Sequence, residues 1–347
     1  MVAPLDWGLG HATRCIPIIK LLIAKGCTVS IASSGNALKL LREEFPNLIF
    51  FNLPSYGAVY SKYIPFMLYI FLQLPKFLLV IGRERGSIKK IISKHSIDLI
   101  ISDNRYGCRE SNVQSVFICH QINIIMPLGY NWFSPIVNYF NHRWIMKFNQ
   151  CWIPDDLINP ISGKLSNPGL PNSIYVGLLS RFGNAKMRNI VYHLVVILSG
   201  PEPQRTIFED KILNQLKEVQ FKTMVVRGVL DKMEEKTEGN VTLVNHLPAI
   251  VLQQVIDQSE VVLCRAGYSS LMDLARLERK AILVPTPGQT EQEYLGKSMM
   301  KRKIAFSQSQ KDFDLLMALS EIKNYIGFEG WSSQPNLLEE VLDNNLK

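Results

Sequence analysis

Two short polar turns in the first half of the chain hold side chains able to move a proton. The first, Asp6-Trp7-Gly8-Leu9-Gly10-His11, directly follows an apolar run, so that Gly8-Leu9-Gly10 turns the chain and His11 opens a helix. Open α/β sheets bind ligands at the carboxyl ends of their strands, and this histidine falls there. A helix N-terminus disfavours an imidazolium, so the expected form at pH 7 is the neutral ring, a general base. The second turn, Ser102-Asp103-Asn104-Arg105-Tyr106-Gly107, follows another apolar run and puts Asp103 on the same edge. A carboxylate beside an imidazole fixes its tautomer and stabilises the charge it gains on taking a proton. The competing readings are structural: a packed or capping histidine, and an aspartate that caps the next segment.

The second half carries turns of another kind. The run ending in Ser199 continues as Gly200-Pro201-Glu202-Pro203-Gln204-Arg205, a strand, a turn and a helix start that offer backbone amides and Arg205 to a phosphate. No Gly-Lys-Ser/Thr follows, which excludes a Walker A loop. Val261 to Cys264 leads through Arg265-Ala266-Gly267-Tyr268-Ser269-Ser270 into a second helix start, with Asp273 one turn on. Helix starts plus an acid suit a nucleotide diphosphate: amides for phosphate, a carboxylate for ribose hydroxyls. From Pro285 to Tyr294, Gln289, Gln292 and Glu293 belong to a dense set of hydrogen-bonding side chains such as sugar hydroxyls need. Asp312-Phe313-Asp314 spells a metal-nucleotide motif, but it follows Ser309-Gln310-Lys311 and opens a helix; capping explains it, and no catalytic metal is expected.

These turns need elements to position them. Apolar β-branched runs at Val2–Leu5, Thr28–Ala32, Leu48–Asn52, Asp98–Ser102 and Val113–Cys119 alternate with helical patterns such as His11–Ala24 and Ala37–Glu44. The rhythm repeats at Leu194–Ser199, Thr223–Arg227, Val241–Val244, Val261–Cys264 and Ala281–Val284. Parallel strands with crossover helices produce this pattern, so two doubly wound, Rossmann-like α/β domains are predicted. A proline- and glycine-rich stretch from Ile153 to Pro171 marks the boundary, giving a first domain over 1–165, a second over 172–328, and a last helix, Pro335–Leu346, within 329–347 that returns to the first domain. A dinucleotide-cofactor fingerprint is missing: Thr13 stands where a third glycine belongs, and Ser33-Ser34 where an acid belongs.

Length and charge narrow the partners. The 347 residues, at roughly 100–200 per domain, fit two domains. With 47% hydrophobic and 20% charged residues, the chain is neither disordered nor fibrous. Six cysteines without a CxxC pair read as reduced core residues of a cytoplasmic protein. The net charge of +8 lies wholly in the first half, where residues 1–170 hold 17 basic and 9 acidic side chains against 21 and 21 in the remainder. An anionic partner for that half follows, among which nucleic acid is set aside for a membrane surface or phosphorylated acceptor. No signal peptide is expected at the start. Ile64–Ile81 contains one charge, Lys76, but also Pro65 and Pro75; being shorter than the roughly 20 apolar residues of a span, it reads as interfacial or buried.

Taken together, Arg265-Ala266-Gly267 through Asp273, followed at matching spacing by Pro285 to Tyr294, resemble the nucleotide-sugar site of GT-B-fold glycosyltransferases of the MurG-like type, with a family 28 C-terminal domain. The resemblance implies two Rossmann-like domains facing a cleft, the first (1–165) binding the acceptor and the second (172–328) the nucleotide-sugar. Carried over by position, Asp273 would meet the ribose, the backbone near Leu247 the uracil, Gln292 and Glu293 the donor sugar, and Ser199, Gly200, Arg205, Arg265, Gly267, Ser269, Ser270 and Gln289 the rest of the donor. Gly8 and Gly10 lie on the first acceptor loop, Asn104 and Arg105 on the second, and His11 matches a histidine that, paired with an aspartate, is the base in related transferases. Glu293 stands where the family has glutamine, which leaves the identity of the donor sugar open, and both acceptor loops depart from its pattern, which implies a different acceptor. The reading is an inverting, metal-independent transfer from a UDP-sugar, N-acetylglucosamine among them, to an acceptor of lipid-linked type at the inner membrane face. No cofactor is needed. The alternatives are a nucleotide-sugar 2-epimerase and a non-catalytic nucleotide-sugar-binding subunit.

Overall fold

The computed structural model describes residues 1–57, 66–184, 189–229, 234–331 and 337–346, with side chains of the helix spanning 66–92 described from Gln73 onward. The chain divides into two compact units, Met1–Arg181 together with Pro335–Lys347, and Phe182–Gln334.

In the first unit, seven parallel strands, β1 (Val2–Pro4), β2 (Ser30–Ser33), β3 (Ile49–Asn52), β4 (Leu99–Asp103), β5 (Gln114–Ile118), β6 (Gln150–Ile153) and β7 (Ser173–Tyr175), form a sheet in the order β3-β2-β1-β4-β5-β6-β7. Helices α1 (Leu9–Ala24), α2 (Gly35–Glu44), α3 (Phe66–Ile92) and α4 (Ser134–Ile145) connect them. Strands β1, β2 and β4 are buried throughout, as near-continuous apolar runs in a parallel sheet require. In register, Pro4 lies opposite Asp103, so the turn after β1 and the end of β4 emerge side by side. Helix α3 buries Phe77, Val80, Ile88 and Ile91, each worth about 1.5–3 kcal/mol when removed from water. Glycine is obligatory at 107, where a Cβ would stand 2.5 Å from the Ile81 carbonyl oxygen of α3.

The stretch read as an interdomain linker is instead the β6–β7 connection of this first sheet. It lacks an apolar period because it folds around a side chain: buried Asp155 accepts hydrogen bonds from the backbone N–H groups of Asp156, Ile161 and Ser162. Helix α3 covers most of Ile64–Ile81; residues 64 and 65 and the side chains of 66–72 lie outside the described residues. Among the described residues, no helix is long and apolar enough to cross a membrane.

The second unit holds β8 (Tyr192–Ile197), β9 (Thr223–Val226), β10 (Glu235–Glu238), β11 (Val241–Val244), β12 (Ser259–Cys264), β13 (Lys280–Leu283) and β14 (Phe306–Ser307), in the order β10-β11-β9-β8-β12-β13-β14. All pairs are parallel except β10 with β11. Its helices are α5 (Gln204–Leu216), α6 (Ala249–Asp257), α7 (Tyr268–Arg276), α8 (Thr290–Lys301) and α9 (Leu315–Glu321), and its core gathers Leu194, Val196, Phe208, Ile212, Val225, Leu263 and Ile282. The Asp312-Phe313-Asp314 motif is a helix start as expected: Asp314 caps α9 by accepting from the Met317 N–H at 2.8 Å. The two parallel-dominated α/β sheets are the doubly wound domains that the apolar rhythm predicts.

The last helix, α10 (Leu338–Leu346), belongs to the first unit. Lys25 pairs with Glu339 and Asp343, and Asn345 bonds Gln114 and Gln150. The predicted start of this helix, Pro335, lies outside the described residues.

Candidate active site

The geometry of the first unit is built on the carboxyl edge of its sheet. Gly8, exposed and at φ +90°, is the N-cap of α1, a conformation that costs an L side chain strain. The turn it makes sends Leu9, Gly10 and His11 into the first helical turn. His11 Nδ1 then sits 2.9 Å from Asp103 Oδ1. Asp103 is fully buried, and the His11 side chain is 18% exposed.

Sequence reasoning missed what holds Asp103. Arg14, one turn beyond His11, is buried; its Nε donates to Asp103 Oδ2 at 2.5 Å and its Nη2 to Oδ1. The same Nη2 lies 2.9 Å from His11 Nδ1, and Nη1 donates to His120 Nδ1 at 2.9 Å. Two signals could have found this quartet. His11 and Arg14 are i and i+3 on one helix face, and His120 follows β5 as the turn containing Asn104 follows β4. Burial pushes the Asp103 carboxyl up, but the charges of Arg14 and then His11 outweigh it and hold Asp103 well below the usual carboxylate range. Burial lowers the proton affinity of His11; Asp103 partly restores it, while Arg14 and His120 lower it further. The neutral ring expected from the helix N-terminus is therefore favoured, chiefly by desolvation.

The second acceptor loop is corrected at one position. Arg105 is fully buried, paired with Glu84 at 2.6 Å and Asp6 at 3.4 Å, and donates to the Pro4 and Pro54 carbonyls and to Ser34 Oγ. It cannot touch an acceptor, because its planar fork is already satisfied inside the fold. Its neighbour Asn104 is half-buried at φ 55°, its N–H donating to the Ile118 carbonyl at 3.3 Å.

In the second unit the ends of β8, β12 and β13 are drawn together by one side chain. Buried Arg265 donates to the carbonyls of Gln204 at 2.9 Å, Val284 at 3.2 Å, and Ser199 and Pro285 at 3.4 Å, with its guanidinium 4.4 Å from the Phe208 ring centroid. Burial lowers its pKa to about 10. Arg265 thus shapes the site rather than facing a ligand. Around it, Gly200 is exposed at φ +109°, and a Cβ there would stand 3.5 Å from Thr286 Oγ1. Gly267 is the N-cap of α7, and a Cβ on it would lie 3.8 Å from Ser270 Oγ and 3.9 Å from Gln292 Nε2. Ser269, Ser270 and Asp273 follow along α7, all half-buried. Gln292 accepts from the Thr286 N–H at 2.8 Å and donates to Gln289 at 2.6 Å, while Glu293 accepts from the Gly288 N–H at 3.0 Å. These side chains brace the turn and line it together. Leu247 sits half-buried just before α6.

Arg205 departs from its expected phosphate role. Its Nε and Nη1 pair with Glu202 at 2.6 Å and Glu209 at 2.5 Å, and Glu209 also takes Arg227. Two carboxylates, Glu202 just before α5 and Glu209 one turn along it, cancel the charge it would offer an anion. Moreover α5 begins at Gln204, with Pro203 as its N-cap, so Gly200 precedes the helix rather than opening it.

Residues 201–324 match the glycosyltransferase family 28 C-terminal domain. No curated protein sequence matches the chain. Among solved structures, MurG of Acinetobacter baumannii is 13% identical with a TM-score of 0.57, covering 99% of this chain and 98% of that one. The spinosyn rhamnosyltransferase SpnG is 11% identical with a TM-score of 0.68, covering 100% and 99%. Phytolacca americana UGT2, complexed with UDP-2fluoro-glucose and pterostilbene, is 13% identical with a TM-score of 0.59, covering 99% and 93%. The shared fold is the GT-B fold of glycosyltransferases, as the resemblance of the turns implies.

Proposed function

From a second unit that carries a glycosyltransferase family 28 C-terminal domain, on a fold shared with glycosyltransferases throughout, we infer an inverting, metal-independent transfer of a sugar from a UDP-sugar to an acceptor hydroxyl. The observation that carries this reading is the 2.9 Å contact between His11 and an Asp103 held ionised by Arg14. Such a pair suits direct displacement. His11 Nε2 takes the proton of the acceptor hydroxyl as its oxygen attacks the anomeric carbon, the bond to UDP breaks on the opposite face, and Asp103 stabilises the imidazolium formed. One attack at that carbon inverts its configuration.

The donor belongs to the second unit. Gly200 and Gly267 keep the turns after β8 and β12 free of side chains, so backbone amides can approach a diphosphate. Asp273 would accept from the ribose hydroxyls, and Gln289, Gln292 and Glu293 would meet the sugar, N-acetylglucosamine being the first to try. Neither Arg205 nor Arg265 is assigned a phosphate contact.

The acceptor side favours a lipid-linked molecule at the cytoplasmic face of a membrane. Leu128, Tyr130, Trp132, Tyr139 and Phe140, from the loop before α4 and from α4 itself, are between 56% and 95% exposed. Arg143 and Lys147 follow at its end, with Arg85 and Arg109 near enough to depress the proton affinity of Lys147 after burial has done so first. Exposed aromatics beside clustered cations are what an anionic bilayer surface attracts.

Incubation with radiolabelled UDP-sugars tests the reading. Release of UDP with formation of a glycoside supports transfer; a changed sugar on unbroken nucleotide identifies an epimerase, and tight binding without turnover a non-catalytic subunit.

A further inference from the structure

His11 Nδ1, Asp103 Oδ1 and Arg14 Nη2 form a closed triangle of hydrogen-bonding atoms. Each edge needs a hydrogen, and the three cannot all have one. Arg14 always donates, so the edge to Asp103 holds a guanidinium hydrogen. The edge from His11 to Asp103 needs a proton on Nδ1, whereas the edge from Arg14 to His11 needs a lone pair on that same nitrogen. A neutral imidazole supplies one or the other.

We propose that Arg14 is a positioning residue that competes with Asp103 for His11 Nδ1 and thereby sets which ring nitrogen carries the proton. In one tautomer Nδ1–H donates to Asp103, and Nε2 holds the lone pair that accepts a proton. In the other, Nδ1 accepts from Arg14, Nε2 carries the hydrogen, and the ring cannot act as a base.

The competition is built in, because Arg14 has nowhere else to go. It is 2% exposed, its Nε is bonded to Asp103 Oδ2 and its Nη1 to His120 Nδ1. His120, also buried, anchors the far end of the guanidinium. The groups that bear on His11 are Asp103 from β4, Arg14 from its own helix and His120 beyond β5, with Cys15 Sγ on Asp103 at 3.7 Å. Burial and these neighbours together lower the proton affinity of His11. At neutral pH the choice is therefore between tautomers rather than between charge states. The catalytic consequence rests on the reading of His11 as the base; the tautomer competition does not.

The test is nitrogen-15 NMR of the whole protein labelled at histidine, recorded above pH 7, where the shifts of Nδ1 and Nε2 report the tautomer. The proposal expects a measurable Nε2–H population of His11 in the wild-type protein. In Arg14→Lys, which keeps a cation for Asp103 but loses the fork that spans three partners, His11 shifts to the Nδ1–H form. His120→Asn, which loosens the far end of Arg14, provides a second variant should Arg14→Lys not fold. A wild-type His11 that is wholly Nδ1–H overturns the proposal, as does a tautomer ratio unchanged in the folded variant. Turnover is read separately: if His11→Ala keeps its activity, the base assignment fails whatever the tautomer spectra show.

Discussion

Arg14 grips both oxygens of Asp103, its Nε 2.5 Å from Oδ2 and its Nη2 on Oδ1, while Asp103 keeps its 2.9 Å contact to His11. A buried carboxylate on its own would drift toward the protonated form. Clamped in this way it remains an anion, and an anion is what an imidazole needs to become a stronger base. Burial nevertheless outweighs that help, and the charge of Arg14 adds to it, so His11 ends below the ordinary imidazole value rather than above it.

A pH–rate profile follows from that balance. The base works when His11 is neutral, so kcat/KM rises through the His11 pKa and is flat above it. Because the pKa is lowered from its ordinary value of about 6.5, the acid limb is expected below that pH. Asp103→Asn removes the group that props up the proton affinity, so its limb moves further toward acid and its plateau falls. A limb centred above the ordinary imidazole value in the wild-type enzyme would exclude His11.

His11→Ala is expected to lower turnover by about 10²–10⁴-fold, the usual cost of losing a general base. Its affinity for UDP, measured by calorimetry, stays close to wild type, since the donor turns are in the other unit. Near-native turnover would make His11 a packing residue.

For the donor, Asp273→Ala should weaken UDP binding by about 1–3 kcal/mol, the worth of a charge-assisted hydrogen bond to ribose. Arg205→Ala is the contrasting variant: with its guanidinium committed to Glu202 and Glu209, its loss should leave UDP affinity within a few-fold of wild type. A large loss at Arg205 together with none at Asp273 would reverse the assignment of the two residues.

Arg105 tests a reading that the structure corrected. Removing one member of a buried ion pair typically costs about 3–5 kcal/mol, because the abandoned charge stays buried. Arg105→Ala strands Glu84 and Asp6, so denaturant unfolding should show a loss of that size. If stability is unchanged and only the KM for acceptor rises, Arg105 faces the acceptor after all.

What was legible in the sequence was whatever leaves an apolar trace. Buried parallel strands such as β1, β4, β8 and β12 announce themselves as runs, and the turns at their ends carried His11, Asp103 and Gly267 with them. Strand β10 left no trace, since Glu235-Lys236-Thr237-Glu238 is an exposed edge with no apolar face. Strands β6 and β7, four and three residues long on either side of the proline- and glycine-rich stretch that Asp155 organises, are too short to stand out as apolar runs. Arg105 and Arg205 illustrate a different limit. Both stand at turn positions suited to ligands, but Arg105's partner is fixed by tertiary contact, Glu84 being 21 residues away in sequence, whereas Arg205's partners Glu202 and Glu209 are only three and four residues away and were within reach of local reading. Arg14 was hidden because nothing local says that an arginine inside an apolar helix will find a carboxylate 89 residues away.

The last prediction concerns the surface around α4. Trp132 is 72% exposed and Phe140 57%, within residues 1–170, which carry the chain's entire positive excess. Apolar rings in water gain by entering a lipid interface, and each nearby Lys or Arg adds roughly 1 kcal/mol on an anionic surface. Liposome flotation should therefore show co-flotation with anionic vesicles that high salt weakens, and little with neutral ones. Trp132→Ser with Phe140→Ser should reduce it without lowering thermal stability, because neither side chain is part of the core. Arg143→Gln with Lys147→Gln should flatten the salt dependence while leaving the rings in place. A wild-type protein that stays unbound on anionic vesicles at low salt would remove the membrane from the proposal and make a water-soluble acceptor the better substrate to try.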